Sequence, residues 1–253
     1  MATAPVTARF ASARAVPDER WFFVGMAVLA MAIALVGFTW RYFLPLSRGS
    51  FHAAAVVHVH GVTMWSWTVL FFVQSWLAAR GRIRFHRLLG MAGISLLTLA
   101  AWTGTVVALL QLERRLAAGE GDAARAFVAL PLSLVVMMVP LFVAAILHAR
   151  RAGFHARLML MVTLVSLQPA LARIVGAIRG GIAEPAVNGA VGGLTVLLLI
   201  GIAIAYDART RPRPHPAYLW GGAWIVAVQV ARLTLGHTPA WYATADVLAT
   251  LVR

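Results

Sequence analysis

Residues 126–149, AFVALPLSLVVMMVPLFVAAILHA, form a run of 24 positions without a charged side chain. An α-helix needs about 20 apolar residues to cross the roughly 30 Å hydrocarbon core of a bilayer. No water is available there to bind unpaired backbone groups, so a run of this length is predicted to be a helix and not a strand. This stretch therefore predicts a transmembrane helix.

Similar uncharged runs, histidine aside, recur along the chain and predict an all-α integral membrane bundle of seven transmembrane helices. The runs span residues 21–40, 49–79, 88–112, 126–149, 158–172, 185–206 and 214–231, and the fifth continues past Arg173 to about 178. We expect three parts: a cytoplasmic N-terminal arm over 1–20, the transmembrane domain over 21–237, and a short helix lying in the outer interface over 238–253.

Composition excludes several classes of protein. Hydrophobic residues make up 61% of the 253 positions and charged residues only 12%, against about 25% charged in soluble domains. The chain contains neither cysteine nor lysine. It therefore has no disulfide, no thiolate ligand for an iron–sulfur cluster, no Schiff-base lysine and no P-loop lysine.

Arginine counts set the expected orientation. With a cytoplasmic N-terminus, thirteen of the 22 arginines fall on the cytoplasmic side, which is the side that carries the basic excess in membrane proteins. We therefore expect the N-terminus in the cytoplasm and the C-terminus outside. The net charge of +14 follows from this topology. Nucleic-acid binding is not expected, because no basic stretch is interleaved with exposed aromatic residues.

The eight histidines divide by depth into two layers. The outer layer holds His52, His58, His60 and His237, and the cytoplasmic layer holds His86, His148, His155 and His215. Two histidine layers suit a transmembrane electron carrier, in which each b-type haem takes axial ligands from facing helices. The alternatives are hydrogen-bonded packing for the outer histidines and contact with headgroup phosphates for the cytoplasmic ones.

Helix geometry narrows the candidate ligands. His58 and His60 are two positions apart, about 200° around a helix, so they cannot both face one metal. His86 and His155 have matched depth and are expected to approach each other as ligands of an inner haem. Arg87 and Arg157 flank them and are candidate partners of haem propionates.

Two arginines lie in the outer thirds of predicted helices without an acidic residue nearby in sequence, Arg173 and Arg232. Haem propionates, a quinone headgroup or an anionic lipid would neutralise them, and snorkelling to the surface is the simpler alternative. The pair Gln168-Pro169 predicts a kink within the fifth run, which frees a backbone carbonyl that needs a partner.

Residues 51–90, FHAAAVVHVHGVTMWSWTVLFFVQSWLAARGRIRFHRLLG, together with HARLM at 155–159, resemble an uncharacterised family of His-rich bacterial multi-pass membrane proteins. Its helix pair reads H-x-HG, then M, W and Q, then GR, then HR-x-LG. These proteins are similar in outline to the cytochrome b561-like dihaem group. The resemblance implies haem ligation and a bacterial cytoplasmic (inner) membrane. His60-Gly61-x-x-Met64 also resembles the haem-ligand helix of haem–copper oxidases, which implies an axial role for His60. The paired histidines for copper are missing, so oxygen reduction is not implied.

The favoured function is transmembrane or quinol-linked electron transfer by haem b. Two alternatives remain open. A non-enzymatic accessory subunit would pack against a larger membrane complex through small-residue runs such as GAVGG at 189–193. A metal-binding or transport protein would use the outer-layer histidines His52, His58, His60 and His237.

Overall fold

The computed structural model describes residues 17–180 and 185–252, and every regular element within these ranges is a helix. The helices are α1 (Pro17–Phe38), α2 (Leu44–Ser47), α3 (Ala55–Ala79), α4 (Ile83–Ala117), α5 (Asp122–Leu147), α6 (Ala152–Ser166), α7 (Gln168–Ile178), α8 (Pro185–Thr210), α9 (Pro216–Leu235) and α10 (Pro239–Ala249). A π-helical turn over Thr39–Phe43 joins α1 to α2, and a 3₁₀ turn over Thr250–Val252 follows α10.

Five stretches in the described residues are long and apolar enough to cross a membrane, and the first of them runs from α1 through α2 (Glu19–Ser47). Two further pairs, α6 with α7 and α9 with α10, pass the same test only when each pair is taken together. The predicted seven spans are reached if each bent pair is one crossing. Helices of this number and composition indicate a multi-pass membrane protein that lies in a lipid bilayer.

Both bends occur at prolines. The predicted kink at Gln168-Pro169 lies where α6 ends at Ser166 and α7 begins, and the two axes differ by 43°. The second bend is sharper: α10 turns by 96° from α9, and Pro239 stands at its first position with Thr238 as the N-cap. A helix therefore forms within 238–253, while its position in the outer interface stays a prediction.

The N-terminal arm falls mostly outside the described residues. Positions 1–16 are not described, whereas the last residues of the predicted arm, from Pro17 to Arg20, already belong to α1. The first helix thus begins four residues before the first uncharged run.

Helix α6 is the centre of the bundle. It contacts α1, α5, α7, α8 and α9, and the side chains from Leu160 to Val165 are buried without a break. A helix that is apolar on every side belongs in the interior. Lipid-facing side chains lie instead on outer helices, as with Trp102 of α4 and Leu198 of α8, which are 62% and 63% exposed.

Helices α1 and α7 touch backbone to backbone at one point. A Cβ atom added at Gly37 would lie 2.6 Å from the carbonyl oxygen of Ala170, so neither backbone can yield without moving a whole helix. A Cβ added at Gly25, on the same helix, would meet nothing within 4 Å.

Gly37→Ala is therefore expected to destabilise the bundle by about 1–3 kcal/mol, the usual cost of overpacking. At about 2–4 °C per kcal/mol for a chain of this size, the Tm of the detergent-solubilised protein should fall by several degrees. Gly25→Ala is the matched control and should leave the Tm unchanged or raise it. Equal Tm values for the two variants would contradict the close contact.

Candidate functional site

Two histidines from the first turns of α4 and α6 meet at one end of the bundle. The ring centroids of His86 and His155 lie 6.0 Å apart, with the ring planes at 79°. Both side chains are half-buried. The sequence analysis paired these two histidines because their depths match, and the structure brings their rings together. Their role as haem ligands stays a prediction.

Backbone carbonyls hold both rings by the same nitrogen. His86 Nδ1 donates to the carbonyl oxygen of Gln74 at 3.2 Å, and His155 Nδ1 donates to that of Ala145 at 2.9 Å. A carbonyl oxygen only accepts, so each Nδ1 carries the proton in a neutral ring and each Nε2 keeps its lone pair. Gln74 Nε2 donates in return to the carbonyl oxygen of His86 at 3.0 Å. In the neutral form of the two rings, the site thus presents two oriented Nε2 lone pairs.

Arg157 does not serve this pair as a propionate partner would. Its side chain is completely buried, its Nε donates to Asp207 at 3.0 Å, and its Nη2 donates to Glu19 at 2.5 Å. Its Nη1 donates to the carbonyl oxygen of Gly153 at 3.1 Å. These hydrogen bonds engage all three guanidinium nitrogens. Arg157 is therefore not available as a propionate partner. Arg87 is exposed beside His86 and stays a candidate.

The buried ion cluster is defined by Arg157, Glu19, Asp207 and Arg211. Arg211 Nη2 donates to the second carboxylate oxygen of Glu19 at 2.7 Å, so two cations balance two anions. The cluster ties α1, α6 and α8 to the segment before α9.

The sequence analysis did not identify this cluster, because Glu19 and Asp207 lie just outside the uncharged runs 21–40 and 185–206. The available signal is their scarcity: acidic residues number eight in the whole chain, and these two lie near the same predicted depth as Arg157. A buried arginine requires such partners.

Two of the outer histidines, His58 and His60, lie within hydrogen-bond distance of neighbouring elements. The ring nitrogen Nδ1 of His58 is 3.2 Å from the hydroxyl of Tyr42. His60 Nδ1 is 3.0 Å from the hydroxyl of Thr103 on α4. A Cβ added at Gly104 would lie 3.1 Å from the ring of His60, so the missing side chain there makes room for the imidazole.

The predicted outer metal ligands do not come together. His52 and His237 are both exposed, whereas His58 and His60 are half-buried and lie within hydrogen-bond distance of Tyr42 and Thr103. In residues 17–180 and 185–252, no three His, Asp or Glu side chains lie at a spacing that could hold a metal ion. A multi-histidine zinc or copper centre is thus not assembled in the described part of the chain.

Arg232 takes part in a chain of side-chain hydrogen bonds across three helices. Its Nε and Nη2 donate to Gln229 Oε1 at 3.2 and 3.0 Å. Gln229 donates to Gln168 Oε1 at 3.1 Å, and Gln168 donates to the carbonyl oxygen of Gly189 at 3.1 Å. These bonds satisfy the side-chain amide of Gln168, which lies at the kink between α6 and α7. Arg173 lies elsewhere, against α1.

His215 lies next to the buried ion cluster, in the connection between α8 and α9. Its backbone N–H donates to Asp207 at 3.0 Å, and its Nδ1 accepts from the N–H of Ala217 as the N-cap of α9. Burial lowers the pKa of His215 below its ordinary value, and the guanidinium groups of Arg157 and Arg211 lower it further. The folded protein therefore holds this ring neutral, the only form in which Nδ1 can accept.

No protein-family model, curated protein or solved structure matches the chain. Functional assignment therefore rests on the contacts described above.

Stability is expected to depend on pH through His215. Because the folded pKa lies below the unfolded value of about 6.5, the unfolded chain binds the extra proton first. The stabilisation is complete above about pH 6.5 and is lost as the pH falls towards the folded pKa. His215→Asn keeps an N-cap acceptor without titrating, so its Tm should fall less than the wild-type Tm between about pH 8 and pH 5. The control is His237→Asn, an exposed histidine, and its pH profile should match wild type. A profile for His215→Asn as steep as wild type would refute the assignment.

Proposed function

We propose that the chain binds haem b between His86 and His155 and transfers electrons within the membrane. The observation that carries this proposal is the pair of imidazoles from separate helices, 6.0 Å apart between ring centroids, with both Nδ1 atoms fixed on backbone carbonyls. Metal-binding histidines commonly donate their second nitrogen in this way, which fixes the tautomer and raises the basicity of the ligating nitrogen.

The number of ligands favours haem over a bare ion. A zinc site usually needs three or four protein ligands, and within the described ranges no third His, Asp or Glu joins the pair. A haem brings four equatorial nitrogens of its own, so the protein needs to supply only axial ligands. Two imidazoles from facing helices are a donor set that fits this group.

Bound haem supplies one-electron chemistry at its iron, and the chain supplies orientation and surroundings. His86 and His155 would hold the group through Nε2. Gln74 and Ala145 would fix the ring orientations through their carbonyls. Arg87 is placed to bind a propionate by charge-assisted hydrogen bonds. The resemblance to cytochrome b561-like proteins agrees with this division of roles. A quinone would be the partner that exchanges electrons with the haem.

We further propose seven spans in a bacterial cytoplasmic membrane, with the N-terminus inside. The arginine excess supports this orientation: the connections around Gly81 and Arg150 are rich in arginine, whereas the connection around Gly119 contains Glu120 and Asp122. The histidine pair then lies at the cytoplasmic end, because α4 and α6 both begin there.

Reporter fusions in the connecting turns test this topology. Fusions at Gly81 and Arg150 should give cytoplasmic reporter activity, and a fusion at Gly119 should give activity outside. A cytoplasmic signal at Gly119 would contradict the proposed orientation.

A visible spectrum tests the haem. The detergent-purified protein should show a reduced-minus-oxidised difference spectrum with a b-type α band. His86→Ala and His155→Ala should each reduce bound haem by more than about tenfold, since even the loss of second-shell partners of metal ligands costs about that much.

His148→Ala is the matched control. His148 lies at the same end of the bundle, and its Nδ1 also donates to a backbone carbonyl, that of Ala144 at 2.8 Å, but its ring stacks on Phe154. This variant should keep the band. Wild-type protein that stays colourless after expression with added haem would overturn the proposal, as would full haem content in the two ligand variants.

A further inference from the structure

Arg173 carries a positive charge inside the bundle without an acidic partner among the described residues. The side chain is half-buried, its Nη1 donates to the carbonyl oxygen of Pro169 at 3.0 Å, and its guanidinium lies 4.5 Å from the centroid of the Phe38 ring. The ion pairs among the described residues involve Arg115, Arg125, Arg157 and Arg211, and Arg173 forms none with a described carboxylate. Its charge is thus oriented but not neutralised.

A second cation, Arg41, follows three positions after Phe38, the residue whose ring faces the Arg173 guanidinium. Arginine stays protonated in proteins, so the two side chains cannot relieve their repulsion by losing a proton. Like charges at the edge of an apolar bundle are unfavourable unless an anion lies with them. Arg173 Nε and Nη2 and the Arg41 guanidinium remain as donors for that anion.

The backbone places both arginines at one helix crossing. The contact of Gly37 with Ala170 fixes α1 against α7, and the π-helical turn Thr39–Phe43 follows directly. Within this turn Tyr42 points to α3, where it contacts His58. Single π turns occur often at functional sites.

The depth of the pair matches the headgroup region. Arg173 lies five residues before the end of α7 at Ile178, about 7.5 Å along the axis. Trp40, adjacent to Arg41, is 65% exposed, and exposed tryptophans concentrate at the membrane–water interface. Guanidinium groups bind phosphate oxygens in bidentate fashion.

We propose that Arg41 and Arg173 form a binding site for the phosphate of an anionic phospholipid in the leaflet at this end of the bundle. Two guanidinium groups without a described carboxylate between them favour a headgroup with net negative charge over a zwitterionic one. This site lies at the opposite end of the bundle from His86 and His155, so it stands or falls independently of the proposed haem.

The test uses full-length protein freed of co-purified lipid in detergent. Phosphatidylglycerol, phosphatidylcholine and inorganic phosphate are titrated separately, with native mass spectrometry to count bound lipid and Tm to measure stabilisation. Wild-type protein should retain phosphatidylglycerol and gain Tm, with a smaller effect of phosphatidylcholine. Arg173→Gln and Arg41→Gln should each bind phosphatidylglycerol about tenfold more weakly, the expected loss for a charge-assisted hydrogen bond.

Arg48→Gln is the matched control, because Arg48 is an exposed arginine at the same end of the bundle and should bind as wild type does. Arg41 is also exposed, so Arg41→Gln should fold normally and any loss of lipid binding in it is not a loss of folding. Circular dichroism checks the folding of Arg173→Gln. If inorganic phosphate competes with phosphatidylglycerol and binds as tightly, the two arginines form a site for a free phosphate ion and not for a lipid headgroup. Unchanged phosphatidylglycerol binding in both variants would overturn the proposal and leave the two arginines as surface-seeking cations.

Discussion

One buried guanidinium determines how the helices are arranged. Arg157 has no exposed surface and joins Glu19 of α1 to Asp207 of α8. Removing one partner of such a group would leave an uncompensated buried charge, at a cost of about 3–5 kcal/mol. The cluster therefore fixes the rotation of α6 about its own axis. His155, two residues earlier on α6, points towards His86 because Arg157 points towards the carboxylates.

The apolar runs were sufficient to predict the helices, because in a bilayer the backbone leaves few alternatives. They were not sufficient to predict how each helix bends. The kink at Gln168-Pro169 has a local cause and was predicted. The 96° turn into α10 also has local markers, Thr238 and Pro239, but these predict where a helix restarts and not the angle it takes. The π-helical turn Thr39–Phe43 has no proline at its start and was not predicted.

The candidate site was predicted in part for a similar reason. Depth along a helix follows from counting residues, so His86 and His155 could be matched from the sequence. The partners of Arg157 could not, because Glu19 and Asp207 are 138 and 50 positions away along the chain. Arg87 and Arg157 each follow one of these histidines closely in the sequence, and they therefore looked equivalent. In the structure Arg87 is exposed and Arg157 is buried.

Helix α4 spans 35 residues, about 52 Å at 1.5 Å per residue, against a hydrocarbon core of about 30 Å. Arg84 and Arg114 near its ends are thirty positions apart, about 45 Å, which is close to the full thickness of a bilayer with its headgroups. An upright α4 thus places an arginine in each phosphate layer. A thinner membrane would favour tilting of this helix, among other adjustments. His86 lies two residues after Arg84, so an upright α4 also places the histidine pair beside one of these layers rather than at the centre of the bilayer.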